Sequence, residues 1–150
     1  MTFQTRPLEA ADYPSWRILW DQYLVFYQTE LPESQTQLTW QRLLDQHFPM
    51  FGLAAIIDEK LVGFGHYNFT LSSWEINPDC YLEDLFVDPG ARSGGVGRGI
   101  IDAVAEAARV AGSERMHWLT QRENAVARKL YDSYAQESGF VRYRIDLSKN

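Results

Sequence analysis

Five glycines lie close together in the second half of the chain, at positions 90, 94, 95, 97 and 99. They separate an apolar, β-rich segment that ends at Val87 from an amphipathic segment that begins near Gly97. The first turn of a helix leaves backbone N–H groups without intrahelical partners and carries the positive end of the helix dipole. Glycines at such a turn let a phosphate come close to the main chain. This glycine-rich loop is therefore a candidate site for a ligand that carries a diphosphate.

Two common nucleotide-binding motifs do not fit the glycine-rich loop. A Walker loop ends in Gly-Lys-Ser/Thr, whereas Gly97 is followed by Arg98 and Gly99. A dinucleotide fingerprint follows the first buried strand of a domain, whereas this loop begins at position 90 of 150. A flexible turn that binds nothing is the alternative that the loop alone leaves open.

Two acidic residues, Glu83 and Asp84, lie next to each other inside the apolar segment that precedes the loop. Carboxylates are rarely placed in such a segment for structural reasons alone. A carboxylate is suited to accept the proton of a bound ammonium group. Because side chains alternate along a strand, only one of the two can face a given cleft.

Composition limits the class of protein. With 150 residues, 45% of them hydrophobic, the chain is expected to form one domain over 1–150 and to bury a core without metals or disulfides. Its one cysteine, Cys80, excludes an intrachain disulfide, is expected to be structural, and favours a reducing, cytoplasmic setting. The histidines at 47, 66 and 117 lack metal-ligand spacing, so no metal is expected.

Charge and hydropathy argue against two kinds of partner. The net charge is −6 and no cluster of Lys and Arg is present, so a nucleic-acid partner is not expected. No apolar run approaches the roughly 20 residues that span a bilayer, so no membrane partner is expected. The acidic balance instead suits a cationic substrate.

Hydrophobic periodicity predicts an α+β fold in which helices flank a mixed, mostly antiparallel sheet in α/β/α layers. Apolar residues at helical spacing predict a first helix from Asp12, and a second helix is expected near Thr39. The predicted strands cover 3–7, 51–57, 61–69, 81–87, 116–120 and 140–147. Two further helices are predicted over 97–111 and 125–137. This element order does not match a doubly wound Rossmann fold.

The glycine-rich loop and a later segment together resemble one family. Residues 92–97, Arg-Ser-Gly-Gly-Val-Gly, resemble the Arg/Gln-x-x-Gly-x-Gly/Ala signature of the GCN5-related N-acetyltransferase (GNAT) superfamily. Downstream, Asn124, Ala127, Leu130-Tyr131 and Gly139-Phe140 resemble its Asn-x-x-Ala…Phe/Leu-Tyr…Gly-Phe element. Residues 81–87 are similar to the corresponding strand of diamine (spermidine/spermine) and Hpa-type acetyltransferases.

The resemblance implies a GNAT fold that transfers acetyl from acetyl-CoA, its co-substrate, to the primary amine of a polyamine or other small cationic molecule. The amine is expected to attack directly in a ternary complex. The residues expected to contact acetyl-CoA are Leu85, Phe86, Val87, Arg92, Ser93, Gly94, Gly95, Val96, Gly97, Arg98, Asn124 and Ala127.

The same resemblance assigns catalytic and acceptor-binding residues. It makes Tyr131 the general acid toward the leaving thiolate, although periodicity alone predicts only a packed aromatic ring there. It makes Glu83 the base, directly or through water. The residues expected to contact the acceptor are Tyr27, Trp74, Glu83, Asp84, His117 and Trp118.

Alternatives to a polyamine acceptor stay open. Diamine acetyltransferases carry an acid at the end of the first helix, whereas here Tyr27 is followed by Gln28 and the nearest acid is Glu30. A protein, a peptide or an aminoglycoside is an alternative acceptor, and a non-catalytic acyl-CoA-binding module or another nucleotide-binding protein is an alternative class. The family resemblance also implies a homodimer, with 140–147 as the exchange surface.

Overall fold

The computed structural model describes residues 2–148 of the chain. These residues fall into two compact units, and the division lies between Leu119 and Thr120. Among the described residues, the first unit contains a five-stranded sheet and three α-helices, and the second contains one α-helix. No helix of the described residues is long and apolar enough to cross a lipid bilayer.

The sheet is mixed and mostly antiparallel, as predicted. Its strands are β1 (Gln4–Pro7), β2 (Phe51–Ile57), β3 (Lys60–Thr70), β4 (Asp79–Val87) and β5 (Met116–Trp118). They lie side by side in chain order, with antiparallel pairs from β1 to β4 and a parallel pair between β4 and β5.

Helices α1 (Tyr13–Phe26), α2 (Glu33–Leu44) and α3 (Val96–Val110) belong to the first unit. The prediction for α1 is confirmed, because Trp16, Leu19 and Trp20 are buried at helical spacing. The predicted start of α2 near Thr39 is wrong. Pro32 lies at the N-cap position, where its missing N–H costs nothing, so the helix begins at once after it.

Helices cover both faces of the sheet in the first unit, as predicted. On one face, Trp16 of α1 contacts Phe64 of β3, with 6.5 Å between ring centroids. On the other face, Ile100 of α3 lies against Gly65, the next residue along β3. A Cβ at Gly65 would lie 2.7 Å from Ile100 Cγ2, so glycine allows the close approach of α3. Neighbouring residues of β3 therefore support opposite helix layers.

Two predictions for the second unit need correction. Helix α4 covers Ala125–Asp132 and ends well before the predicted residue 137. Residues 140–147 form no strand, although their apolar residues alternate. A strand is stabilised by ladder hydrogen bonds with a neighbouring strand, and no described segment pairs with 140–147. The alternation alone was insufficient to define a strand.

Candidate active site

A β-bulge in β4 determines which way its acidic side chains face. Across the β3–β4 ladder, Asp84 is paired with His66 and Leu82 with Tyr67, so Glu83 is the extra residue of a bulge. Leu82 lies beside Gly65 on the face covered by α3. Asp84 lies on the opposite face and contacts Tyr23 of α1. Strict alternation would have placed Leu82 and Asp84 on the same face, so the bulge turns Asp84 toward α1.

The parallel ladder between β4 and β5 ends at the same point. β5 pairs with β4 only at Cys80, Tyr81 and Leu82. The following residues 84–87 remain hydrogen-bonded to β3. On their other side, no strand among the described residues pairs with them. The main chain of Leu85, Phe86 and Val87 therefore forms an open edge, which leads from the bulge to the glycine-rich loop.

The glycine-rich loop follows β4 and ends where α3 begins. A 3₁₀ turn over Pro89–Gly94 is capped by the side chain of Asp88, which accepts a hydrogen bond of 2.7 Å from the N–H of Gly90. Gly95 then adopts a left-handed φ of 74° as the N-cap residue of α3. A Cβ at Gly95 would meet no atom within 4 Å. The first turn of α3 is therefore approached over an open, glycine-lined surface, and no N-cap side chain covers its amides.

Several predicted cofactor-binding residues can act only through their main chain. The side chains of Phe86, Val87 and Val96 are buried. Arg92 is turned back toward β4, where its Nε donates to the carbonyl of Val87 at 3.0 Å and its guanidinium lies over the ring of Phe86. Arg92 therefore fixes the loop to the end of β4. The side chain of Leu85 is half-buried. Ser93, Gly94, Gly95 and Arg98 are exposed, and Gly97 is partly exposed.

A chain of hydrogen bonds connects α1 to Asp84 through β3. Trp16 Nε1 donates to His66 Nε2 at 3.0 Å, and His66 Nδ1 lies 2.9 Å from Asp84 Oδ2. The hydroxyl of Tyr23 donates to Asp84 Oδ1 at 2.5 Å. We call these four residues the Asp84 network. Trp16 and His66 were not predicted as site residues, although Trp16 lies two turns before Tyr23 on the same face of α1, where an aromatic wall of the acceptor pocket formed by Trp20, Tyr23, Phe26 and Tyr27 is predicted.

Tyrosines of α1 form the wall beside Asp84. Tyr23 and Tyr27 have ring centroids 4.9 Å apart. The pKa of Tyr27 is raised, mainly because the phenol is partly buried and also because the charge of Asp84 is near. The pKa of Tyr23 is raised far above its usual range by burial and then by the same carboxylate. Both phenols therefore keep their protons at neutral pH.

Aromatic residues also flank the point where β4 and β5 separate. Tyr81 and His117 stack almost parallel, with centroids 4.9 Å apart, and Trp118 pairs with Leu82 at the last rung. The pKa of His117 is lowered, mainly because partial burial disfavours the charged ring, which outweighs attraction by Asp79. Predicted acceptor residues His117 and Trp118 thus lie beside the bulge, where Glu83 is exposed.

Trp74 lies elsewhere in the first unit. It is exposed in the connection between β3 and β4, at the end of β4 opposite to the glycine-rich loop. Its assignment to the acceptor site stays a prediction. Among residues 2–148, no group of three His, Cys, Asp or Glu side chains is arranged to hold a metal ion.

The remaining predicted site residues belong to the second unit. Asn124 caps α4, because its Oδ1 accepts from the N–H of Ala127 at 3.4 Å while its Nδ2 donates to Thr120 Oγ1 at 3.3 Å. Tyr131 lies in the last turn of α4 and is half-buried. The expected contacts of Asn124 and Ala127 with the co-substrate, and the acid role of Tyr131, stay predictions.

Comparisons with known proteins agree with this arrangement. The profile of the Acetyltransferase (GNAT) family matches residues 14–135. The D-amino-acid N-acetyltransferase HPA3 of Saccharomyces cerevisiae is 32% identical over 141 residues, which are 93% of this chain and 88% of that protein. The thialysine N-epsilon-acetyltransferase of Bos taurus is 38% identical over 71 residues, covering 47% of this chain and 41% of that protein.

Solved structures show the same fold. The aminoglycoside acetyltransferase AAC(6')-Iy, in complex with a bisubstrate analogue of coenzyme A and acetylneamine, superposes with a TM-score of 0.84 at 21% identity and covers 97% of this chain and 99% of its own. The predicted fold and the predicted resemblance to Hpa-type enzymes are both confirmed. The chain belongs to the GNAT family of acetyltransferases.

Proposed function

We propose that this N-acetyltransferase transfers the acetyl group of acetyl-CoA to a primary amine of a small cationic molecule, by direct attack in a ternary complex. One observation carries the proposal. The bulge at Glu83 lies where the open edge of β4 begins, and that edge leads directly to the glycine-lined start of α3. A proton acceptor and a binding surface for a long phosphate-bearing thioester are thus adjacent in the chain.

The surface from β4 to α3 fits acetyl-CoA. The amides of the pantetheine arm would pair with the open main-chain edge at Leu85, Phe86 and Val87. The diphosphate would accept hydrogen bonds from main-chain N–H groups between Ser93 and Arg98, at the positive end of α3. A main-chain N–H of the same edge would stabilise the oxyanion formed when the thioester carbonyl is attacked.

The acceptor amine arrives mostly as an ammonium ion and must lose a proton before it attacks. Glu83 is exposed at the bulge and would accept that proton, directly or through water. Asp84, Tyr27, His117 and Trp118 would line the acceptor site. After the tetrahedral intermediate collapses, Tyr131 would donate its phenolic proton to the leaving thiolate.

The acceptor class is inferred from the site and from the relatives together. HPA3 is a D-amino-acid acetyltransferase, and the relative from Bos taurus acetylates thialysine. Acidic residues at the bulge favour a cation, and a polyamine is a small molecule that carries several positive charges and offers a primary amine. A protein or peptide amine, an aminoglycoside and a non-catalytic acyl-CoA-binding role are the competing functions. We further propose a cytoplasmic homodimer.

The test is turnover of acetyl-CoA against a panel of amines. The panel contains polyamines, D-amino acids, thialysine, an aminoglycoside and a lysine peptide, and the release of coenzyme A is measured together with the acetylated product. We expect polyamines or other small cationic amines to be acetylated. Turnover of the peptide alone would replace the small-molecule acceptor, and coenzyme A binding without any turnover would leave a binding module.

Two variants test the assigned roles. Glu83→Gln removes the proposed proton acceptor, so kcat/KM for the amine should fall about 100-fold near neutral pH. Tyr131→Phe removes the proposed acid and should lower kcat while acetyl-CoA still binds. Unchanged turnover in either variant would remove that residue from the mechanism. Size-exclusion chromatography with light scattering tests the dimer, and a monomer at all concentrations would contradict it.

A further inference from the structure

We infer that Trp16, His66 and Tyr23 are positioning residues, which hold the Asp84 carboxylate as a fixed anionic anchor for a second positive charge on the acceptor. The inference deepens the proposed function and rests on it for the identity of the acceptor. Asp84 would bind the charged group of the acceptor that is not acetylated, whereas Glu83 would accept the proton of the amine that is acetylated.

The donors and acceptors of the Asp84 network fix one tautomer of His66. An indole N–H can only donate, so the bond from Trp16 Nε1 requires a lone pair on His66 Nε2. The proton of the neutral ring is therefore on Nδ1, from which it is donated to Asp84 Oδ2. A buried Trp16 thus determines, through His66, how one oxygen of Asp84 is held.

The second oxygen of Asp84 is held from α1. The hydroxyl of Tyr23 donates to Oδ1, so each carboxylate oxygen accepts one hydrogen bond from a different element. With one donor from β3 and one from α1, the plane of the carboxylate is fixed. This arrangement orients Asp84 but supplies no positive charge, because both donors are neutral.

The charge of Asp84 has no protein counter-ion among the described residues. No Lys or Arg of residues 2–148 forms an ion pair with it, and its side-chain partners are His66 and Tyr23, one on each oxygen. The side chain of Asp84 is only 15% exposed. The exposed part of the side chain leaves a route by which a cation can reach the carboxylate.

The surroundings of Asp84 suit an organic cation. Tyr27 packs against Tyr23, which bonds Asp84, so the carboxylate lies beside an aromatic wall. Ammonium groups are attracted by aromatic faces as well as by carboxylates. Glu83 precedes Asp84, and consecutive Cα atoms are about 3.8 Å apart. The bulge at Glu83 breaks the strict alternation that would turn the two side chains to opposite faces, so a diamine would place one nitrogen at Glu83 and the other at Asp84.

A matched pair of substitutions separates positioning from simple packing. In His66→Asn the amide nitrogen replaces Nδ1 and still donates to Asp84, but the acceptor for Trp16 is lost. In His66→Gln the amide oxygen replaces Nε2 and still accepts from Trp16, but the donor to Asp84 is lost. Each variant removes one buried hydrogen bond, so the two should lose similar stability in urea denaturation.

The readout is binding of putrescine and of n-butylamine, measured by calorimetry with coenzyme A present. The two amines have the same carbon chain and differ by one positive charge. We expect the wild type to bind putrescine about tenfold more tightly than n-butylamine, and Asp84→Asn to abolish this preference. His66→Gln should lose most of the preference, whereas His66→Asn should retain it. The affinity for coenzyme A should be unchanged in all variants.

A spectroscopic measurement tests the tautomer independently of any amine. Nitrogen-15 NMR of histidine-labelled protein should show the proton of His66 on Nδ1 in the wild type and a mixture of tautomers in Trp16→Phe. A proton on Nε2 in the wild type would overturn the relay from Trp16 to Asp84.

Binding and turnover distinguish the two proposals. Equal loss of putrescine preference in both His66 variants, or a preference that survives Asp84→Asn, would overturn the anchor even if amines are acetylated. Binding of putrescine that depends on Asp84, without acetylation of any amine, would instead contradict the proposed function and keep the anchor.

Discussion

Replacement of Gly95 by alanine should weaken acetyl-CoA binding without a steric clash. Gly95 has a φ of 74°, and its added Cβ would meet no atom within 4 Å, so only the backbone conformation opposes the new side chain. A non-glycine residue in the left-handed region costs about 1–2 kcal/mol. The exposed loop can relax from that conformation when it is empty, and binding then has to restore it. We therefore expect the KM for acetyl-CoA to rise about 5- to 30-fold.

The matched control is Gly112→Ala at the other end of α3. Gly112 has a φ of 89°, and its Cβ would lie at an ordinary contact distance of 3.6 Å from Asn77. This substitution introduces the same kind of backbone strain, so it should lower the free energy of unfolding by about 1–2 kcal/mol. It should leave the KM for acetyl-CoA unchanged, because Gly112 follows the C-terminal end of α3.

The KM for acetyl-CoA is measured from initial rates at saturating amine with varied acetyl-CoA. The free energy of unfolding of each variant is measured by urea denaturation. The KM for acetyl-CoA is expected to rise in Gly95→Ala and not in Gly112→Ala. An unchanged KM in Gly95→Ala, or an equal increase in Gly112→Ala, would refute the role of the glycine-lined helix start in binding the diphosphate.

Three further predictions concern stability and reactivity. Gly99→Ala should destabilise the fold by about 1 kcal/mol in urea denaturation, because its Cβ would lie 2.1 Å from the ring of Phe3 and the ring has to move. Unchanged stability would contradict this packing. Cys80 should resist a thiol reagent at pH 8 in the folded protein and react after unfolding, since burial raises the pKa of its thiol to about 11. Rapid labelling of the folded protein would contradict this burial. Asp12→Asn should cost about 2 kcal/mol at pH 7, because Asp12 accepts two hydrogen bonds from Arg6. Arg6 lowers the pKa of Asp12, so this difference from wild type should be full above about pH 4 and disappear as the pH falls through the lower pKa of the folded state.

The regular elements of the first unit could be predicted from the sequence because their signals are local. Trp16, Leu19 and Trp20 recur at helical spacing, and 51–57 is followed by a short polar turn and a second apolar strand. The start of α2 was misplaced because the apolar pattern becomes evident only near Trp40, while the helix begins directly after Pro32. The segment 140–147 has the alternation of a strand, but pairing depends on a neighbour that the segment itself does not specify.

The parts of the candidate site that consist of sequence motifs could be predicted. The parts that depend on tertiary contacts could not. The glycine-rich loop and its preceding strand were identified from residue types and spacing. The bulge at Glu83 was not, because it is a property of the register between β3 and β4, and it reverses the face of every later residue of β4. The contact between Asp84 and His66 joins residues from different strands, and Trp16 adds a partner from α1. No local pattern encodes such a network.

Direct detection of the product tests the central proposal most clearly. The purified chain is incubated with acetyl-CoA and putrescine, and mass spectrometry follows the amine while released coenzyme A is quantified. The account predicts that putrescine gains one acetyl group for each coenzyme A released, and that Glu83→Gln slows both events together. Release of coenzyme A without an acetylated amine, or acetylated putrescine formed equally fast by Glu83→Gln, would contradict it.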